Sequence, residues 1–357
     1  MLLLVATVLC AEARAAAAQA SQPATEPAAD RKRLQEHPTE PDWFLEPSYF
    51  AFVSRNERPN GAPGHIVEVQ SMNHLAVFPR RNSYRYDDWI DRSRSRNKFV
   101  LTLGTVVRGH SGGSVPIQTP SIHFAGRWQR LVHQRGPTAS KIWMYGAGIG
   151  HHSNGQDGCT FENQIRSGTS CVPQESRSAA PLNTKDGSFG VNYLELRSAV
   201  SSRTIQRSLD VGTALTLGAD YRYHFASKIV PGGSGLRQID HLYGVHEFRG
   251  LLQQEWPTPR LWRFDHVQLS LRGFLRFGHG SELASGGSAD LSSLGFAGGT
   301  AGPFVRLYSG NDYYNIRFLE KRRFVMVGVV WDHARLARFP VGLSATPSTT
   351  AHPPGLR

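Results

Sequence analysis

Residues 209–225 read LDVGTALTLGADYRYHF, and the alternation in this stretch decides the fold class of the chain. Every second side chain from Leu209 to Phe225 is apolar or aromatic, apart from one threonine. The positions between them carry Asp, Gly, Ala, Thr, Arg and His. Because successive side chains of a β-strand point to opposite faces, this pattern predicts a long strand with one apolar and one polar face.

Residues 266–277 repeat this two-residue period, with Leu271 and its apolar neighbours on one face and two arginines on the other. Ten to twelve such segments are separated by turns rich in Gly, Ser, Asn and Pro, and no helical periodicity is evident. We favour twelve strands, because bacterial membrane barrels have an even strand number. The predicted strands cover residues 48–56, 64–79, 97–108, 121–134, 141–153, 188–201, 206–225, 237–254, 261–278, 300–309, 312–318 and 322–333.

The length and polarity of these strands favour a transmembrane antiparallel β-barrel. Arg, His and Asp are frequent on the polar faces, and tyrosines gather near strand ends, as expected for a polar interior and an aromatic girdle. A soluble β-sandwich is the alternative, because its strands also alternate. The net charge of +12 is spread along the strands without an aromatic–basic motif, so no nucleic-acid partner is expected. Attraction to anionic lipid and a simple compositional bias both remain open.

The segments outside the predicted barrel point to an exported protein. Residues 1–20 combine a short apolar core with small residues suited to cleavage, which predicts a signal peptide. The segment lacks a positively charged start, which a start codon placed too far downstream would explain. No later stretch is long and apolar enough for a transmembrane helix. The predicted organisation continues with a flexible leader at 21–46, an outer-membrane β-barrel at 47–335 and a disordered tail at 336–357.

Two cysteines remain after the predicted signal peptide, and both lie in one polar loop. In an oxidising compartment, Cys159 and Cys171 are expected to form a disulfide that closes this loop. Two free thiols are the alternative. Neither cysteine belongs to a metal-binding Cys/His spacing.

A short motif at the end of one predicted strand carries the candidate chemistry. Residues 149–155 read IGHHSNG, which puts His151 and Ser153 on the same face, about 6.5–7 Å apart along the strand. The same face also carries Tyr145 and Ile149, so it is expected to contact lipid. A polar pair on the lipid-facing wall is unfavourable and calls for a functional reason.

The next predicted strand supplies a third residue. If Glu195 and Arg197 face the interior, Asn192 lies on the outer face, and antiparallel pairing brings it beside His151. Ser153 would then act as the nucleophile and His151 as its base. Asn192 would hold the useful histidine tautomer. Such a triad is suited to an ester of a membrane lipid. The alternatives are a polar rim pair and an ordinary strand-end asparagine.

These residues resemble the outer membrane phospholipase A family, whose twelve-stranded barrels hydrolyse phospholipid acyl esters with calcium. The family motif His-x-Ser-Asn-Gly is matched by residues 151–155, and its later asparagine by Asn192. The Tyr-Ser-Gly turn at 308–310 is also similar, and the resemblance covers about 140–155, 186–200 and 303–332. It implies a phospholipase A1/A2-type hydrolase acting on membrane phospholipid in the outer membrane of a Gram-negative bacterium.

The resemblance also implies a cofactor and a partner. Calcium would bind the backbone carbonyl of Gln156 and the hydroxyl of Ser188, although a turn serine is the alternative for Ser188. The family completes its site with a serine from a second subunit, so a homodimer is expected. Ser114 lies in the corresponding loop, but the surrounding family pattern is absent.

Two other functions stay open. A lipid A deacylase uses a similar His-x-Ser-Asn strand motif, but on a barrel of about eight strands with an acidic residue that orients the histidine. A catalytically inactive barrel would act as a channel or scaffold, and its lumen would be large and open. The number of strands, the residue beside His151 and the filling of the lumen distinguish these functions.

Overall fold

The computed structural model describes most of the predicted barrel. The described residues are 46–57, 65–78, 95–110, 117–135, 139–168, 170–173, 181–204, 213–225, 236–257, 266–278, 280–294 and 301–331. The predicted signal peptide, the leader apart from Glu46, the C-terminal tail and Ser114 lie outside these residues. No helix in the described ranges is long and apolar enough to cross a membrane.

Twelve strands close into one antiparallel barrel, as predicted. The strands in chain order are β1 Ser48–Glu57, β2 His65–Phe78, β3 Ser95–His110, β4 Ile117–Arg135, β5 Ala139–Ser153, β6 Gln164–Ser167, β7 Ser170–Pro173, β8 Gly190–Thr204, β9 Ala214–Phe225, β10 His246–Pro257, β11 His266–Gly278, β12 Ser281–Leu294, β13 Ala301–Asn311 and β14 Lys321–Trp331. Sequential neighbours pair around the barrel, β5 pairs with β8, and β1 pairs with β14 to close it. The strands β6 and β7 form a separate hairpin between β5 and β8.

Burial along the strands confirms the membrane barrel over the soluble sandwich. In β9, Leu215, Leu217 and Tyr223 are exposed on the outside. Arg222 and His224 alternate with them and are buried inside. A soluble protein buries its apolar faces, whereas this chain buries charged side chains and exposes the apolar ones. That inversion is the arrangement a hydrocarbon solvent requires.

One predicted strand is absent and one barrel strand was not predicted, so the two errors cancel in the count. Residues 312–318 do not form a strand but a bend with a 3₁₀ helix at Asn315–Arg317. The strand β12 was missed, because its sequence SELASGGSADLSSL has small residues where an apolar face is expected. Gly286 lies on the inner face of this strand, where a Cβ would lie 2.5 Å from the Tyr308 hydroxyl and 2.7 Å from the Phe274 ring.

A helix replaces the first part of the strand predicted at 237–254. Helix α1 spans Leu236–Tyr243, and only the later residues form a strand, β10. The expectation that the chain contains no helix is therefore wrong. The spacing of Leu236, Ile239 and Tyr243 is the helical signal that the two-residue reading overlooked. Helix α1 packs against β8, β11 and β12, and Ile239 is fully buried.

The interior of the barrel is filled largely by paired charges. The carboxylate of Glu195 on β8 lies 2.9 Å from Arg127 Nε, 3.1 Å from Arg197 Nε and 2.7 Å from Arg222 Nη2. A cavity of about 230 Å³ remains, lined by side chains from most of the barrel wall. Glu46, just before β1, also lines it and lies 3.4 Å from Arg249 on β10, on the opposite side of the barrel.

Candidate active site

The pairing of β5 with β8 positions the candidate site at one end of the barrel wall. His151 lies directly opposite Asn192, and Ser153 lies opposite Gly190. On the other side, His151 lies opposite Phe124 of β4. Residues directly opposite one another point to the same face of a sheet. Phe124 is half-exposed on the outer wall, so His151 and Ser153 lie on the lipid-facing side.

A hydrogen bond joins the histidine to the asparagine. His151 Nδ1 lies 2.8 Å from Asn192 Oδ1, and Asn192 is fully buried although its strand face is lipid-exposed elsewhere. An amide oxygen only accepts hydrogen bonds, so Nδ1 carries the proton. The other ring nitrogen, Nε2, then has a lone pair and can act as a base.

Ser153 is the last residue of β5, two positions after His151 and on the same face of the strand. No hydrogen bond between Ser153 and His151 is present among the described contacts of the site. Contacts between a nucleophile and its base are often long before substrate binds and tighten in the complex. The structure therefore brings His151 and Asn192 into contact and leaves Ser153 beside them on the same wall.

Glycines on the inner face of β5 allow close packing behind the site. A Cβ at Gly150 would lie 2.2 Å from the ring of Tyr193, and one at Gly148 would lie 3.0 Å from the side chain of Arg127. Large interior side chains therefore rest directly on the backbone of β5. His152, between the two candidate catalytic residues, points inward and stacks on His123 with ring centres 4.1 Å apart.

Asn154 is a residue of this site that the sequence analysis did not single out. Its side-chain oxygen accepts hydrogen bonds from the backbone of Phe189 at 3.0 Å and of Gln156 at 3.2 Å. Its amide nitrogen donates to the Gly187 carbonyl at 2.7 Å. A buried carboxamide thus ties the turn after Ser153 to the segment before β8. The feature of the sequence that could have pointed to Asn154 is its place as a polar residue directly after Ser153 in the motif.

The two expected calcium ligands lie on neighbouring segments. The backbone nitrogen of Asn154 donates to the Phe189 carbonyl at 3.1 Å, and that of Ser188 donates to the Gly158 carbonyl at 2.9 Å. These two bonds hold the segment that carries the Gln156 carbonyl alongside the segment that carries the Ser188 hydroxyl. Both groups supply oxygen, the ligand type that suits calcium.

The expected calcium ligands are not accompanied by a described cluster of acidic side chains. Within the described residues, no group of three or more His, Cys, Asp or Glu side chains is placed to hold a metal ion. Asp157 is exposed on the same turn as Gln156, and its hydrogen bond and ion pair with Arg166 lower the pKa of its carboxyl group. Asp157 is therefore ionised at neutral pH and is already paired.

The loop between β5 and β8 carries the disulfide. Cys159 and Cys171 are bonded, with their Cα atoms 5.5 Å apart, which confirms the predicted pairing over two free thiols. Cys159 is buried in the body of the loop, whereas Cys171 lies on the strand β7. The disulfide therefore fastens the β6–β7 hairpin to the segment that follows the candidate site.

Comparison with known proteins gives a likeness of architecture only. No family model and no curated protein matches the chain. Among solved structures, outer membrane phospholipase A from Escherichia coli is 13% identical, with 84% of this chain and 95% of that chain covered and a TM-score of 0.45. The calcium-bound dimer of the Salmonella typhi outer membrane phospholipase is 15% identical, with 87% and 99% covered and a TM-score of 0.44. The translocator domain of the autotransporter NalP from Neisseria meningitidis is 8% identical, with 85% and 95% covered and a TM-score of 0.33. This chain is similar to all three as a closed β-barrel.

Proposed function

We propose that the chain is an outer-membrane phospholipase A, which hydrolyses the acyl esters of membrane phospholipids. The observation that carries this proposal is the 2.8 Å contact between His151 and Asn192 on the lipid-facing wall, beside Ser153. Polar groups are unfavourable at a surface that contacts hydrocarbon. A histidine held in one tautomer next to a serine can activate the serine hydroxyl as a nucleophile, which is a reason for polar groups at that surface.

The proposed mechanism uses three side chains. The Ser153 hydroxyl attacks the ester carbonyl as His151 Nε2 takes its proton, and the Asn192 oxygen stabilises the imidazolium through Nδ1–H. Collapse of the tetrahedral intermediate breaks the ester bond, and His151 donates its proton to the leaving lysophospholipid oxygen. Water then attacks the acyl-Ser153 ester with His151 again as the base, which releases the fatty acid and restores the hydroxyl.

We propose calcium as the cofactor, held by the Gln156 carbonyl and the Ser188 hydroxyl. When bound, a cation supplies positive charge to the oxyanion that develops on the substrate carbonyl. The contribution of the chain is to fix the two ligating segments through Asn154 and the adjoining backbone hydrogen bonds. A homodimer that adds a serine to this site stays a prediction, because Ser114 lies outside the described residues.

The alternatives make different demands on the barrel. A lipid A deacylase would have a smaller barrel and an acidic residue that orients the histidine. In this chain the barrel has twelve strands, and Asn192 contacts His151. A channel requires an open lumen. The described interior is instead crossed by ion pairs such as Glu195–Arg222, and a cavity of about 230 Å³ remains. Neither observation favours these alternatives.

We expect the purified, folded chain to release fatty acid from phospholipid in mixed micelles with calcium. A chelator should reduce the rate by about tenfold or more, because the oxyanion loses a nearby positive charge. The measurement is fatty-acid release from phospholipid and, in parallel, from lipid A, with calcium and with chelator. Release from lipid A alone would support the deacylase alternative, and no release from either substrate would contradict an enzymatic function.

A further inference from the structure

The inner face of β5 carries almost no side chains behind the candidate site. Three successive inward positions of this strand are glycines, at Gly146, Gly148 and Gly150. A glycine-rich strand specifies its own position in a sheet weakly, because it offers few side chains for packing. The place of His151 on the outer face therefore depends on what the neighbouring strands pack against these glycines.

Tyr193 of β8 occupies the space that a side chain at Gly150 would take. The two residues lie directly opposite each other, and the next cross-strand pair along the two strands is His151–Asn192. A Cβ at Gly150 would lie 2.2 Å from Tyr193 Cζ and 2.3 Å from its hydroxyl oxygen, so the phenol ring lies against the backbone of β5. Tyr193 therefore joins the two strands from the inside, immediately beside the histidine and the asparagine.

An arginine holds the ring of Tyr193 in this orientation. The guanidinium carbon of Arg222 lies 4.3 Å from the centre of the Tyr193 ring, and Arg222 Nη2 lies 2.7 Å from the Glu195 carboxylate. All three side chains are buried, and a cation over the face of a ring interacts more strongly when water is excluded. The Glu195–Arg222 ion pair thus keeps the phenol ring against Gly150.

Arg127 of β4 makes a similar contact from the other side of β5. A Cβ at Gly148 would lie 3.0 Å from Arg127 Cγ, and Arg127 Nε lies 2.9 Å from the Glu195 carboxylate. The strand is therefore packed from both neighbours, and both contacts lead to the same buried carboxylate. Of the two, the contact of Tyr193 is the one next to the His151–Asn192 pair.

We propose that Tyr193 is a positioning residue that keeps His151 and Asn192 in hydrogen-bond contact. The hydrogen bond between them, at 2.8 Å, weakens steeply when its geometry is disturbed. A neutral imidazole without this bond carries its proton on Nε2 in part of the molecules, and Nε2 then cannot accept the serine proton. The consequence for hydrolysis rests on the proposed function, whereas the effect on the hydrogen bond does not.

A kinetic test separates positioning from a general loss of stability. Tyr193→Leu removes the ring and is expected to lower kcat for phospholipid hydrolysis by about tenfold or more, with KM within about twofold, because small displacements of catalytic groups are costly. Tyr193→Phe keeps the ring and should retain at least about half of the wild-type kcat. An unchanged kcat in Tyr193→Leu would overturn the proposal.

The barrel offers a matched control for this packing. Phe274 of β11 lies directly opposite Gly286 of β12, and a Cβ at Gly286 would lie 2.7 Å from its ring. These two strands do not pair with β5 or β8. Phe274→Leu removes an aromatic ring from a glycine in the same way and should leave kcat within about twofold. A loss of kcat as large as that of Tyr193→Leu would show a general softening of the barrel and would overturn the positioning role.

The hydrogen bond can be followed without any activity. Nitrogen NMR of isotope-labelled histidine in the folded, micelle-bound chain reports which ring nitrogen is protonated at alkaline pH, and His151→Gln identifies the signal. We expect the Nδ1–H tautomer in the wild type and in Phe274→Leu, and a mixture of the two neutral tautomers in Tyr193→Leu. A pure Nδ1–H tautomer in Tyr193→Leu would contradict the proposal. If the wild type hydrolyses no phospholipid, the proposed function fails, and the tautomer measurement still decides the positioning role.

A second variant covers the case in which Tyr193→Leu does not fold. Gly150→Ala adds the Cβ that would lie 2.2 Å from the ring, so it displaces the ring without removing it. The same mixture of His151 tautomers is expected, and a pure Nδ1–H tautomer in Gly150→Ala would equally count against the proposal.

Discussion

Replacing Ser153 with alanine is expected to lower kcat/KM for phospholipid hydrolysis by at least about 10³-fold. The variant keeps His151, Asn192 and the loop contacts, but it has no oxygen to form the acyl intermediate. Because the residues of a triad act as one unit, loss of the nucleophile removes most of what the others contribute. The measurement is fatty-acid release with calcium at saturating and at low substrate.

The barrel offers a matched control for this variant. Ser198 lies on the same outer face of β8, is exposed, and lies opposite Tyr145 rather than a histidine. Ser198→Ala is expected to leave fatty-acid release within about twofold of the wild type, because a serine without a base is a poor nucleophile. Undiminished hydrolysis by Ser153→Ala would exclude Ser153 from the mechanism, even if the wild type were an active lipase.

The second large effect is expected inside the barrel, at Glu195. Glu195→Gln removes one negative charge from a buried group that lies within 3.1 Å of Arg127, Arg197 and Arg222. Breaking a buried ion pair by removing one partner leaves uncompensated charge in a poorly solvated site. We expect the free energy of unfolding to fall by about 3–5 kcal/mol, measured by urea titration of the folded barrel.

A half-exposed carboxylate serves as the control for Glu195. Asp240→Asn, on helix α1, should change the free energy of unfolding by less than about 1 kcal/mol, because water already screens that group. An unchanged unfolding free energy for Glu195→Gln would show that the interior is well hydrated. It would reopen the channel alternative, since hydrated charges are compatible with an open lumen.

The sequence was sufficient for the architecture wherever a strand has one apolar face. Strand β9 was predicted because Leu215, Leu217 and Tyr223 must face hydrocarbon while Arg222 must not. Strand β12 could not be predicted in this way, because its outward-facing positions 285, 287 and 289 are Ser, Gly and Ala. A lipid-facing side built of small residues leaves no apolar two-residue period in the sequence.

The candidate site could likewise be predicted from the sequence only in part. The outer face of His151 and Asn192 followed from parity, and their adjacency followed from the antiparallel order of consecutive long strands. The convergence of Arg127 and Arg222 on Glu195 depends on the register of three pairings across four strands, which the sequence does not specify. The hydrogen bonds of Asn154 and the β6–β7 hairpin belong to a long irregular loop, where no period applies.

The central claim is that Ser153 is a nucleophile activated from the lipid-facing wall by His151 and Asn192. Covalent labelling by a fluorophosphonate with a lipid-like chain, followed by mass spectrometry, tests it most directly. We expect a label on Ser153 that forms far more slowly in His151→Ala and Asn192→Leu and is largely retained in Asn192→Asp, which keeps an acceptor for the imidazole. A label on another residue, or labelling of Ser153 at the same rate in all these variants, would contradict the account.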